Sequence, residues 1–219
     1  MTSLSPGHPA GRERSLSLNE EELALVSDGQ LFRKKSKITE KIRAQLEMVK
    51  QMLDDELKTT GLLYPDRFDR NAVQFVKGEH LEDCPYQYLD YPKHFHGVDK
   101  FTFRTLFWWG HHVVVAWILE GQRIKQYKKN LVDRFHAVAG RGVELSTAPT
   151  LWEWKRGEGY TVSVSHDRKA TIAAVMAERS FIKLMRVVPL DDLLIREGRL
   201  DAVVREAFSA MRSVVTVKS

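Results

Sequence analysis

The sequence predicts an α+β fold with a largely antiparallel sheet built from hairpins, packed by three to four helices and preceded by a helical N-terminal arm. Three observations carry that reading. Residues 101–109 alternate, Phe101, Phe103, Phe107 and Trp109 on one side and Thr102, Arg104, Leu106 and Trp108 on the other, as a strand does. Residues 30–58 repeat Leu31, Ile38, Ile42, Leu46, Val49, Leu53 and Leu57 at the spacing of one helical face. Predicted strands adjoin as hairpins and do not alternate with helices, which disfavours a parallel doubly wound sheet.

In chain order, residues 1–16 (MTSLSPGHPAGRERSL) hold Pro6, Gly7, Pro9 and Gly11 and no apolar core. They read as a disordered leader, not a secretory signal. Residues 17–219 form a single α+β domain in this reading. A short helix opens at Ser17 or Asn19 with Glu20, Glu21 and Glu22 in its first turn. Asp28-Gly29 breaks it, the long helix follows, and Thr59, Thr60 and Gly61 end the helical part, residues 17–60. Residues 61–100 read as an irregular aromatic loop with a short strand at Val73–Val76, since Pro85, Pro92 and Gly97 block a long helix.

Sheet and helices fill residues 101–219. Gly110-His111 turns the chain, and His112–Leu119, apolar on both faces, is a central strand. An amphipathic helix over 122–138 buries Ile124, Tyr127, Leu131, Phe135 and Val138. Val143–Ser146 is a strand, and residues 152–164 form a hairpin around Arg156-Gly157-Glu158-Gly159. Asp167 caps a helix reaching Glu178, Phe181–Val188 is a strand ended by Pro189, and a last helix spans 197–214.

Composition narrows the class. At 219 residues with 43% hydrophobic and 29% charged residues, the chain is neither disordered nor collagen-like. Cys84 alone permits no internal disulfide, which points to a reducing, cytoplasmic, soluble setting. A net charge of +5 permits anionic partners without demanding them. The apolar run 105–119 is too short for a span and carries Gly110, His111 and His112 at its centre, so no membrane is expected. P-loop, dinucleotide, H-E-x-x-H, EF-hand and G-x-S-x-G motifs are absent from the sequence.

The constellations that remain point three ways. Tyr86, Tyr88, Tyr91, Phe95, Phe101, Phe103, Phe107, Trp108 and Trp109 exceed what one core absorbs. The first reading is therefore an aromatic, histidine-lined pocket for a small molecule or protein partner, drawn from Tyr91, Trp109, His111, His112, Trp152 and Trp154. The second is nucleic-acid binding through basic helix faces, Lys34–Arg43 and Arg123–Arg134. The third is an enzyme with His112 as general base, oriented by Glu120 or Asp90, and Tyr88 or Tyr91 as donor. His94 and His96 point to one side of an extended chain and are the metal candidates, with His80, Glu82 or Cys84 to complete a set. A solvated loop is the plainer reading there, and no metal or other cofactor is expected.

In element order the chain resembles some uncharacterised bacterial families without an assigned activity. The resemblance lies in the long N-terminal helix, the aromatic pair FTFRTLFWWGHHVVVAWILEG and the segment FIKLMRVVPLDDL before a terminal helix. It implies a compact α+β protein of bacterial type and carries no residue role or oligomeric state.

Overall fold

The computed structural model describes residues 16–217, so the predicted leader lies outside it except for Leu16. Among the described residues the fold is α+β, with seven α-helices and one seven-stranded antiparallel sheet. The chain divides into two compact units, the first ending at Thr39 and the second beginning at Glu40.

The first unit holds helix α1 (Glu20–Ser27) and the opening turns of helix α2 (Gly29–Thr59). Asn19 and Glu22 form a reciprocal capping box, each side chain accepting the other's backbone N–H at 2.9 and 2.8 Å. Asp28 explains the break between the helices. Its carboxylate accepts the N–H groups of Gln30 and Leu31 at 2.8 and 3.1 Å and so starts α2. No residue from 16 to 39 is buried.

In the second unit α2 buries Ile42, Leu46, Val49, Met52 and Leu53. The strands are β1 (Gln74–Leu81), β2 (Cys84–His96), β3 (Asp99–Trp108), β4 (His112–Glu120), β5 (Glu144–Ser146), β6 (Thr161–Ser163) and β7 (Phe181–Pro189). They are ordered β1-β2-β3-β4-β7-β5-β6. The remaining helices are α3 (Ile124–Asp133), α4 (Phe135–Val138), α5 (Lys169–Glu178), α6 (Leu193–Arg196) and α7 (Leu200–Val215).

Alternation divides the sheet as expected. Phe101, Phe103, Val115, Trp117 and Leu184 point inward to the main core, which also takes side chains from α2, α3, α5 and α7. Leu106, Trp108, Val114, Ala116, Ile118 and Met185 point outward and cluster with Leu151, Trp154 and Phe181, with Tyr86 and Tyr88 packed beside them. The inner face is thus roofed by helices and the outer face by the loop between β5 and β6.

Three elements differ from the sequence reading. Residues 61–100 are not an irregular loop, because β1 and β2 pair from Gln74↔Asp90 to Leu81↔Cys84. The chain reverses at Glu82-Asp83, both with positive φ (49° and 62°), the backbone of a tight hairpin that Asn-Gly normally marks. Pro92 is tolerated because it sits where the β2–β3 register shifts, between Asp90 and Lys93. The predicted helix over 122–138 breaks at Arg134, whose guanidinium donates to Ser213 O, Thr216 O and Val217 O and closes the end of α7. Finally, Trp152 and Trp154 lie in the loop, since β6 begins only at Thr161.

Gly121 links β4 to α3 with φ +92°. A Cβ there would lie 2.0 Å from Asp99 Oδ1, the atom that accepts the Gln122 N–H at 2.7 Å. Gly121→Ala should therefore lower stability by about 2 kcal/mol or more through backbone strain and this clash. Urea unfolding checks it, and an unchanged midpoint would show that the turn relaxes freely.

Candidate functional site

The outer face collects most of the aromatic excess, and its geometry follows from strand register. Asp90 of β2 stands opposite Arg104 of β3, so their side chains meet on the same face. Arg104 Nε and Nη2 each donate to Asp90 at 2.7 Å, a bidentate pair with Asp90 0% and Arg104 5% exposed. The Arg104 guanidinium lies 3.8 Å from the Tyr88 ring centroid and 5.3 and 5.5 Å from those of Trp152 and Trp154. Burial raises the Tyr88 hydroxyl above its ordinary pKa.

Lys183 of β7 completes the floor. Its ammonium donates to the carbonyls of Leu151 (3.1 Å) and Glu153 and lies 4.6 Å from the Trp154 ring. Full burial disfavours the charged form and pulls its pKa from 10.5 to about 8. The loop is therefore held by its backbone. Trp154 turns in, whereas Trp152 stays 45% exposed and meets Phe95 edge-on at 6.1 Å.

Further along β2, Tyr86 and Tyr88 have nearly parallel rings, 4° apart in tilt with centroids 6.1 Å apart. Tyr86 lies flat over Gly78 of β1. A Cβ at residue 78 would come within 2.4 Å of the ring. Both tyrosines are half-buried and pack against the outer cluster. Lys93, near the rim, sits 5.4 Å from the Phe95 ring.

The predicted ligand residues do not form one pocket. Trp154 and Trp152 join the outer face, with Tyr88. Trp109 and Tyr91 pack against the inner core instead. Tyr91 lines a separate cavity of about 180 Å³ with Tyr64, Phe68 and Pro92. There its hydroxyl donates to Asp54 at 2.6 Å, and burial followed by that bond raises its pKa. His111 stacks on Trp108 at 3.8 Å at the β3–β4 turn, beside His112.

The catalytic set separates as well. Glu120 lies at the far end of β4 from His112, roughly 26 Å along the strand, and is paired with Lys100 at 2.7 Å. Asp90 is spent on Arg104. Burial, then the neighbouring His111 and Arg156, lowers the His112 pKa. Its Nε2 has no hydrogen-bond partner among the described residues. Glu144, the nearby acid, instead binds Arg156 at 2.5 Å and Thr161 at 2.6 Å.

For metal, His94 and His96 do share one side, with ring centroids 6.2 Å apart. Cys84, however, is at the opposite end of β2, roughly 33 Å away along the strand, with His80 and Glu82 beside it. No cluster of three metal-ligating side chains occurs among the described residues.

Basic charge on α3 is largely engaged. Arg123 pairs with Asp66, Lys129 with Asp133, Lys128 donates to Arg179 O, and Arg134 closes α7. Arg134 also lines the cleft of about 490 Å³ at the ends of α2 and α7, where its donors meet carbonyls. A second histidine pair, His136 and His166, lies outside all of these sites with its Nδ1 atoms 3.4 Å apart. Their separation in sequence gives no local signal.

No helix among the described residues is long and apolar enough to cross a membrane. No protein-family model, curated protein or solved structure matches the chain.

The Lys183 shift has a sign that can be checked. Between about pH 8 and 10.5 the unfolded chain holds this proton and the folded chain does not, so stability rises with pH across that window. The rise is at most about 3 kcal/mol. Lys183→Met should remove it, read as the difference between variant and parent urea midpoints at pH 8 and 10. Parallel midpoints would mean that Lys183 titrates normally.

Proposed function

We propose that this protein is a non-catalytic binding module that takes a small planar heteroaromatic ligand on the outer face of its sheet. The observation that carries this reading is exposed Trp152, which shares the Arg104 guanidinium with half-buried Tyr88 and its parallel neighbour Tyr86. A sheet face uncovered by helices is ordinarily polar, and contiguous apolar surface left in water marks an interaction site. Aromatic side chains fixed by their neighbours stack a planar ring at little conformational cost. Here Gly78 seats Tyr86, Arg104 seats Tyr88, and the anchored loop presents Trp152. Lys93 at the rim favours a ring that carries an acidic group.

An enzyme reading finds less support, because the acids and bases nearby are bound to structural partners. Nucleic-acid binding would draw on Lys34–Arg43 and Arg123–Arg134, and in the second stretch Arg123, Lys128, Lys129 and Arg134 already have partners.

Adenosine monophosphate and flavin mononucleotide serve as probes. Each should quench tryptophan emission saturably. Trp152→Ala should weaken the binding about ten-fold or more, in keeping with roughly 1–3 kcal/mol per stacked ring. The buried Trp117→Phe change should leave affinity as it was. Absence of saturable quenching by either probe near about 1 mM, or equal affinity of the Trp152→Ala protein, overturns the reading.

A further inference from the structure

A different part of the chain carries a second surface. Leu23, Leu25, Val26, Leu31, Phe32 and Ile38 are between 41% and 56% exposed, and nothing in residues 16–39 is buried. In α2 the spacing that places Ile42, Leu46 and Val49 in the core continues back through Ile38 to Leu31. The apolar stripe thus runs on beyond the residues that bury it. Helix α1 has eight residues and buries none, whereas isolated helices shorter than about 12 residues are marginal in water. A capping box gives it defined ends, yet an isolated turn-and-cap does not stabilise so short a helix.

The charge pattern identifies the cover. Glu20, Glu21 and Glu22 lie before the bend at Asp28, and Arg33, Lys34 and Lys37 lie after it. An anionic membrane or an acidic peptide would satisfy the cations and be repelled by the three glutamates. A second copy of this chain, laid antiparallel with a two-fold axis near Asp28, satisfies both. Residues equally far from Asp28 then come level across the axis: Glu22 with Lys34, and Leu25 with Leu31. Each acidic stretch meets a basic one twice, and the leucines are covered between them. Such self-complementarity is what an isologous dimer requires, and a parallel pairing would set like charges together.

We propose that residues 19–39 are a dimerisation element in which α1 of one copy packs antiparallel on the opening turns of α2 of a second copy. Full-length chains provide the test by sedimentation equilibrium and mixing. The parent protein should dimerise at about 10–50 μM, and Leu31→Asp should weaken dimerisation at least ten-fold. A chain with Glu20→Lys, Glu21→Lys and Glu22→Lys has an arm that is basic throughout, apart from Asp28. A chain with Arg33→Glu, Lys34→Glu, Lys35→Glu and Lys37→Glu has an arm that is acidic throughout. Each should be monomeric alone, and an equimolar mixture should form the heterodimer. Circular dichroism confirms that each chain is folded. A parent protein that stays monomeric at about 100 μM, a dimer that survives Leu31→Asp, or variants that fail to pair on mixing would each overturn the proposal.

Discussion

The outer half of this molecule depends on one buried ion pair. Asp90 and Arg104 sit opposite each other on neighbouring strands and are nearly inaccessible to water. Taking two such charges out of water costs several kcal/mol each, which only good geometry and further contacts offset. Two 2.7 Å hydrogen bonds supply the geometry. The Tyr88 and tryptophan rings supply the rest, because a guanidinium loses less on dehydration when its faces meet π-systems. The loop between β5 and β6 has to lie across the sheet for those rings to be in place.

That requirement explains how an unequal roof is sufficient. Helices seal the inner face over a continuous core. On the outer face the loop contributes only Leu151 and Trp154 to the buried cluster, and its hold on the sheet is polar. Arg179 donates to the carbonyls of Thr147 and Ala148, and Lys183 to those of Leu151 and Glu153. Carbonyls buried in this way need donors, and two long cations from β7 and its approach provide them. Because the backbone does the anchoring, Trp152 need not turn inward. Its exposure follows from how the loop is tied down.

Much of this was legible where the signal is local. Asn19 with Glu22, and Asp28 with Gly29, mark both ends of α1 because capping is decided within a few residues. The alternation of β3 and the apolar run of β4 mark the sheet's centre and sort Phe103 from Leu106 correctly between its faces. The β1–β2 hairpin was hidden for an equally local reason. Glu82 and Asp83 adopt a left-handed conformation that neither residue advertises, and prolines in β2 disguise a strand. The partner of Arg104 was hidden by register: a shift of one residue would turn Asp90 to the other face. The separation of Trp108 from Trp109 and of His112 from Glu120, by contrast, follows from the strand alternation and the span of β4 that the sequence already marks.

The distribution of spent and unspent groups bears on what kind of protein this is. Catalysis needs an acid, base or nucleophile whose partners reach the reacting atoms. In this fold several buried or half-buried polar side chains hold backbone. Tyr127 donates to Leu63 O, Asn130 to Val214 O, Arg134 to the end of α7, and Lys183 to the outer loop. His112 comes nearest to an unspent base, but its ring meets Trp108 and His111, and the carboxylate beside it belongs to Arg156. What the described chain leaves exposed is surface of another kind: Trp152, and the leucines of the first two helices. Unsatisfied apolar surface lowers its free energy by acquiring a neighbour.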